Sequence, residues 1–124
     1  ILVVDDEAVV RQLAREILLL AGYTVDTAPD GEAALVALAQ GPEAVDLVVL
    51  DVVMPGMNGV EALARIKAAH PLIKVVMASG MFESGQPAAS TWRLADGRLQ
   101  KPYRAPELLE AVRLALGREQ RAVG

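Results

Sequence analysis

The chain has 124 residues, 53% hydrophobic and 23% charged, which is enough apolar material for one globular core and too little length for two. A net charge of -4 and an aromatic content of 3% argue against binding a phosphate backbone or stacking nucleic-acid bases. The absence of cysteine removes disulfides, thiolate chemistry and Cys-ligated metals, in keeping with a reducing cytosolic setting; no signal peptide opens the chain, and no apolar run approaches the ~20 residues of a membrane span.

Ile1 already lies within an apolar run, so the chain reads as a piece of a longer protein. Ile1 to Val4 is too short for a helix and ends in three acids, Asp5, Asp6 and Glu7, which predicts a buried strand. From Glu7 to Ala21, Val10, Leu13, Ala14, Ile17 and Ala21 recur at helical spacing, and Gly22 follows as a C-terminal cap. Tyr23 to Thr27 alternates as a strand does. Pro29-Asp30-Gly31 then turns the chain into a helix over Gly31 to Gln40, with Ala34, Leu35 and Leu38 facing inward.

Asp46 to Gly59, DLVVLDVVMPGMNG, is the most informative stretch. The unbroken run Leu47 to Leu50 predicts a strand buried on both faces, because a half-exposed strand would alternate. It delivers Asp51 into a loop of Met, Pro, Gly and Asn, residues that equally suit an ordinary turn. A helix over Gly59 to Ala69 follows, carrying Leu63 and Ile66 and stopped by His70-Pro71. Ile73 to Ala78 predicts a fourth strand, leading to Ser79-Gly80. A short helix is expected from about Pro87, weakened by Gly85, Pro87, Ser90 and Thr91. Arg98 to Gln100 predicts a fifth strand, ended by Lys101-Pro102. Pro106 opens a last helix through Leu116, with Leu109, Val112 and Leu116 as its buried stripe, and 118–124 forms a charged, frayed tail.

Strands alternating with helices are the pattern of βαβ units around a parallel sheet, hence a three-layer α/β sandwich. Ligands of such sheets bind beyond the carboxyl ends of the strands. Those ends carry Asp5 and Asp6, Asp51, Ser79 and Lys101, so three carboxylates, a hydroxyl and an ammonium are predicted to meet at one edge. Clustered carboxylates repel and call for a cation. Mg2+ accepts such oxygen ligands, whereas the His or Cys set that Zn2+ favours is missing. With a lysine and a hydroxyl beside it, the site is equipped to receive a phosphoryl group on a carboxylate. Taken singly, the acids at Asp5 to Glu7 would favour a helix start, Ser79 a turn and Lys101 solvent. His70 reads as a surface residue, and Met54 and Met57 as packing residues.

The sets LVVDDE at Leu2 to Glu7, DVVMPGMNG at Asp51 to Gly59, ASG at Ala78 to Gly80 and KPY at Lys101 to Tyr103 resemble the receiver domain of bacterial two-component response regulators. The resemblance spans almost the whole chain, in order and spacing. It implies a flavodoxin-like, doubly wound sheet of five parallel strands in the order 2-1-3-4-5, with a receiver domain over 1–117 and a tail or linker over 118–124. It makes Asp51 the phosphoryl acceptor from a kinase phosphohistidine. Asp6 becomes a direct Mg2+ ligand, Asp5 its partner acting partly through water, and the carbonyl of Val53 a further ligand. Lys101 pairs with the phosphoryl group, and Ser79 follows it to shift the face formed by the last two helices and strand five. The peptide bond after Lys101 is commonly cis in this family. Implied partners are a histidine kinase or histidine phosphotransfer domain and an output domain in the same parent chain or another protein, with homodimerisation open. Nucleic acid and membrane are not expected partners of this domain. The domain would signal rather than act as an enzyme, its chemistry confined to its own phosphorylation and dephosphorylation.

Two departures stand out. Arg98, three residues before Lys101, occupies a switch position that is often aromatic, and ASG with a weak fourth helix resembles receivers attached to hybrid histidine kinases. Two other classes share parts of the pattern. A metal-dependent phosphatase forming an aspartyl phosphate would place its nucleophile on strand one and needs a substrate-enclosing cap, which this length lacks. A flavodoxin-like electron carrier would need a Gly/Ser/Thr-rich phosphate loop where the acids stand.

Overall fold

The computed structural model describes residues 1–41, 44–54, 56–80 and 94–123, with side chains as far as residue 117. Its elements are β1 (Leu2–Val4), α1 (Ala8–Leu20), β2 (Asp26–Ala28), α2 (Gly31–Gln40), β3 (Leu47–Asp51), α3 (Gly59–Ala69), β4 (Lys74–Ser79), β5 (Gly97–Gln100) and α4 (Ala105–Val123). The helix expected from Pro87, the turn residue Pro55, and Pro42 behind α2 lie outside the described residues. The strands are parallel and form one sheet in the order β2-β1-β3-β4-β5, as the resemblance implies.

Strand parity builds two cores. On β3, Val48 and Leu50 face one side of the sheet and pack with Ala34 and Leu38 of α2 and Ala62, Leu63 and Ile66 of α3. Leu47 and Val49 face the other, with Ala14 and Leu18 of α1 and Leu108, Val112 and Ala115 of α4. Among the described residues, two helices cover each face, which makes the three layers. Met54 is buried in the first core and Met57 packs on its rim, the packing role expected of them. Each fully buried Leu or Val contributes roughly 1.5–3 kcal/mol relative to exposure. Among the described residues, no helix is long and apolar enough to cross a membrane.

Local chemistry sets most element ends. Asp30 and Asn58 cap α2 and α3 by accepting from the N–H groups of Ala33 (2.8 Å) and Glu61 (2.9 Å), with Glu32 and Glu61 in the first turns complementing the dipole. Gly22, at φ 100°, closes α1: its N–H donates to the carbonyl of Leu19 and that of Tyr23 to Leu18 (3.0 and 3.1 Å). That closure consumes Tyr23, so β2 begins at Asp26 and not at Tyr23 as expected; Tyr23 and Val25 pack against the α1/α4 core instead.

Three further expectations change. Leu13 is 52% exposed and Ala21 is exposed, while Leu18 is fully buried. Leu13 lies about 100° around the helix from Ala14, at the margin of the buried stripe. On α4 the buried stripe is Leu108, Val112 and Ala115, with Leu109 and Leu116 only partly buried beside it. Finally, α4 does not stop at Leu116 but runs to Val123: Gly117 costs a helix interior about 1 kcal/mol, and good helix formers such as Arg118, Glu119 and Arg121 continue it.

Far from the carboxyl ends of the strands, a half-buried ion pair fastens the start of β5. Lys67 on α3 donates to the carbonyl of Ile73 and to Asp96 (both 2.7 Å), and the same Asp96 oxygen accepts from the N–H of Val75 (2.8 Å). Next to Asp51, Gly59 is packed so closely that a β-carbon would overlap the carbonyl of Asp51 and come within 2.5 Å of the Cα of Val52. Gly59→Ala should therefore lower stability by about 2 kcal/mol or more in urea unfolding, because the obstacle is backbone that cannot yield. Gly22→Ala, with open space but positive φ, should cost about 1 kcal/mol. Equal midpoints for Gly59→Ala and the unmodified chain would contradict this packing.

Candidate functional site

The carboxyl ends of β1, β3, β4 and β5 converge on an open cleft of about 320 Å³ lined by Asp6, Glu7, Asp51, Val53, Ser79, Gly80 and Lys101. The cleft lies where the order reverses between β1 and β3, the place where ligands of such sheets bind. Asp5, Asp6 and Asp51 each present an oxygen within 4.8 Å of the others. Asp5 and Asp51 are each only 4% exposed, whereas Asp6 is open to solvent.

Lys101 is the cation among them. Its ammonium lies 3.1 Å from Asp5 Oδ2 and 3.5 Å from both Asp51 Oδ1 and Glu7 Oε1. The Lys101–Pro102 peptide bond is cis. Asp5 also accepts from the N–H of Glu7 (2.9 Å), and Asp51 accepts weakly from the N–H of Val53 (3.4 Å). Val53 itself is 68% exposed at the rim, and Ser79 is 2% exposed at the end of β4. The sheet ladder ties these ends together, with the N–H of Lys101 donating to the carbonyl of Ser79 (2.9 Å) and that of Val52 to Ala78 (3.0 Å).

The electrostatics follow from burial and crowding. The Asp51 carboxyl is pushed up to about 6, first by burial and next by the charge of Asp5; Lys101 and the Val53 N–H oppose the rise, and a hydrogen bond with Asp6 adds to it. Burial works against the charge of Lys101, but the hydrogen bond and charge of Asp5, with Asp51 and Glu7, outweigh it and leave its pKa above the ordinary value. Tyr103 is pushed up to about 12 by burial and then by Asp5, so its hydroxyl stays protonated beside the acids.

Every residue expected at the sheet edge therefore lines the cleft or abuts it. Residues outside the expected set also reach it. Glu7 shares Lys101, which its place as third acid in the run foreshadows. Arg11 donates to the carbonyl of Asp5 at 2.6 Å; its spacing of four from Glu7 puts it over the acidic turn once α1 forms. His70 caps α3, donating its N–H to the carbonyl of Ile66 (2.7 Å), away from the cleft. Arg98 is exposed on β5 and borders a different cleft, of about 430 Å³, with Glu107 and Glu110.

Residues 1–113 match the family described as response regulator receiver domain. The chain is 35% identical over 118 residues to "Response regulator MprA" of Mycolicibacterium vanbaalenii, covering 95% of this chain and 50% of that protein, so it spans half the relative's length. It is 34% identical to "Chemotaxis protein CheY" of Listeria monocytogenes, over 93% of this chain and 96% of that one. The crystal structure of the receiver domain of NtrX from Brucella abortus superimposes with a TM-score of 0.82 at 37% identity, covering 93% of this chain and 96% of that one.

The raised Asp51 carboxyl has a consequence for stability without metal. Because its folded pKa lies above the ordinary 3.8, its contribution is fully present below about pH 4 and is lost as pH rises through about 6. In a chelator, Asp51→Asn should therefore be more stable than the unmodified chain at pH 7.5, by about 1–3 kcal/mol in urea unfolding, and nearly equal to it at pH 4. A variant that is less stable at pH 7.5 would contradict the crowding.

Proposed function

The chain belongs to the response regulator receiver domain family, and from that membership we propose that it is a phosphoacceptor of a two-component phosphorelay, taking a phosphoryl group onto Asp51. The observation that carries the reading is the buried Asp51 carboxylate, set against Asp5, Asp6 and the ammonium of Lys101 in an open cleft. The donor is a phosphohistidine of a histidine kinase or histidine phosphotransfer domain. An oxygen of Asp51 attacks phosphorus and the O–P bond forms as the P–N bond breaks; the electron pair stays on the imidazole nitrogen, which takes up a proton.

A hard divalent cation suits this donor set, which has three carboxylates and neither His nor Cys. The upward push on Asp51, from burial and then from Asp5, is the strain such an ion would relieve. Asp6 would hold Mg2+ directly, Asp5 partly through water, Asp51 by its carboxylate and Val53 by its carbonyl. When bound, the ion supplies positive charge for the phosphoryl oxygens.

The chain's own groups do the rest. Lys101, already 3.5 Å from Asp51, neutralises a phosphoryl oxygen. The Ser79 hydroxyl donates to another and follows it, moving the chain at Gly80 behind β4 and biasing the face of β5 and α4. Arg98 makes this transmission depend on charge where an aromatic ring would act by packing. The proposed setting is cytoplasmic, with an output domain in the parent chain or in a partner protein, and the chemistry is confined to the domain's own phosphorylation and dephosphorylation.

Acetyl phosphate with Mg2+ should label the chain once, shown by a single mass increment, and Asp51→Asn should abolish labelling; normal labelling of that variant would sink the assignment. Lys101→Ala should still bind Mg2+, since it removes a competing cation, while a fluorescent probe on the β5–α4 face no longer responds to acetyl phosphate. A preserved response there would show that Lys101 does not couple the two.

A further inference from the structure

Asp5 uses every polar atom it carries. Its N–H donates to the carbonyl of Ala28 (3.2 Å), one carboxylate oxygen accepts from the N–H of Glu7 (2.9 Å) and the other from Lys101 (3.1 Å). Its carbonyl, past the end of the β1 ladder, accepts from the guanidinium of Arg11 at 2.6 Å, the shortest of the four. Arg11 stands in the second turn of α1, and its own N–H donates to the carbonyl of Glu7 (2.9 Å). One residue therefore bridges both ends of the turn Asp5–Asp6–Glu7, by side chain at the first and by main chain at the last.

We infer that Arg11 is a positioning residue for cation binding, acting through the peptide that carries Asp6. The carbonyl of Asp5 and the N–H of Asp6 belong to one rigid planar unit, so fixing that oxygen fixes the plane from which Asp6 departs. Asp6 needs this more than its neighbours, because it is exposed while Asp5 and Asp51 are buried and locked. The inference rests on the phosphoacceptor reading, in which Asp6 is the direct ligand.

Arginine suits the task for two reasons. Its planar, permanently charged guanidinium makes a short charge-assisted bond to a carbonyl, and its reach from the second turn returns it over the strand end. The same charge stands on the carbonyl of Asp5, in the turn that carries Asp6, and so opposes a second cation electrostatically. Positioning and repulsion thus act on Mg2+ affinity in opposite directions. Loss of Arg11 weakens binding if positioning dominates and tightens it if charge does. A purely structural role would lower the melting temperature and leave affinity where it was.

The test is calorimetric titration of Mg2+ into the 124-residue chain, unmodified and as Arg11→Met and Arg11→Lys, with thermal unfolding of each. Arg11→Met should bind Mg2+ ~10-fold more weakly, the scale at which groups that orient metal ligands act, and Arg11→Lys should fall between it and the unmodified chain. The Mg2+ concentration for half-maximal labelling by acetyl phosphate should rise in step. If Arg11→Met does not fold, the lysine variant, which keeps the charge, carries the measurement. Affinity unchanged or tightened in the folded variants, while the unmodified chain binds Mg2+, overturns the inference and leaves the phosphoacceptor reading standing. An unmodified chain that binds no Mg2+ overturns both.

Discussion

The carboxylates of Asp5 and Asp51, each 4% exposed, lie side by side where water screens them little, and the functional end of the sheet is arranged around that repulsion. One ammonium, that of Lys101, stands among them, shared with Glu7, and Asp6 adds further negative charge at the rim. The imbalance appears in Asp51, whose carboxyl is pushed up to about 6, and in Lys101, which is held charged despite its burial. A site so poor in positive charge is suited to receive a cation and, with it, an anion.

Holding such groups together requires a rigid frame. The N–H of Gly59 donates to the carbonyl of Val52 (2.8 Å), that of Val52 to Ala78, and that of Lys101 to Ser79, so the chain just past β3 and just past β5 is joined main chain to main chain to the end of β4. At the opposite end, Lys67 and Asp96 fasten the start of β5 to β4 and α3. Lys101 is thus presented by a strand secured at both ends. Small changes at Asp51 are then more readily expressed as movements of side chains and loops than as displacement of strands.

The face of β5 and α4 has its own character. Arg98 sits at a cleft edged by Glu107 and Glu110, so interactions there respond to charge and are screened by salt, whereas an aromatic residue at this position would act by burying or exposing a ring. The aliphatic core beneath depends on Leu, Val, Ile and Ala, in keeping with the scarcity of aromatic residues.

The sequence by itself determined the alternation of elements and the residues at the strand ends, because local signals speak for both. Leu47 to Leu50 is an unbroken apolar run of strand length, as a strand buried on both faces requires, and the caps Asp30, Asn58 and Gly22 are chosen by backbone hydrogen bonding within a few residues of themselves. Asp5, Asp51 and Ser79 were legible for the same reason, since each directly follows or ends an apolar run, and Lys101 was marked by Pro102 behind it at the end of a short strand. Only the tertiary structure decided which side chains of a helix face inward, as Leu18 in place of Leu13 and Leu108 in place of Leu109 show, since helical spacing gives a stripe but not its direction. It also decided where β2 starts, because the closure of α1 competes for Tyr23. And it alone brought Lys67 to Asp96, a contact made by packing one element on another, for which no period or motif in the chain is a signal, and aimed Arg11 at the carbonyl of Asp5, which its spacing from Glu7 permits but does not fix.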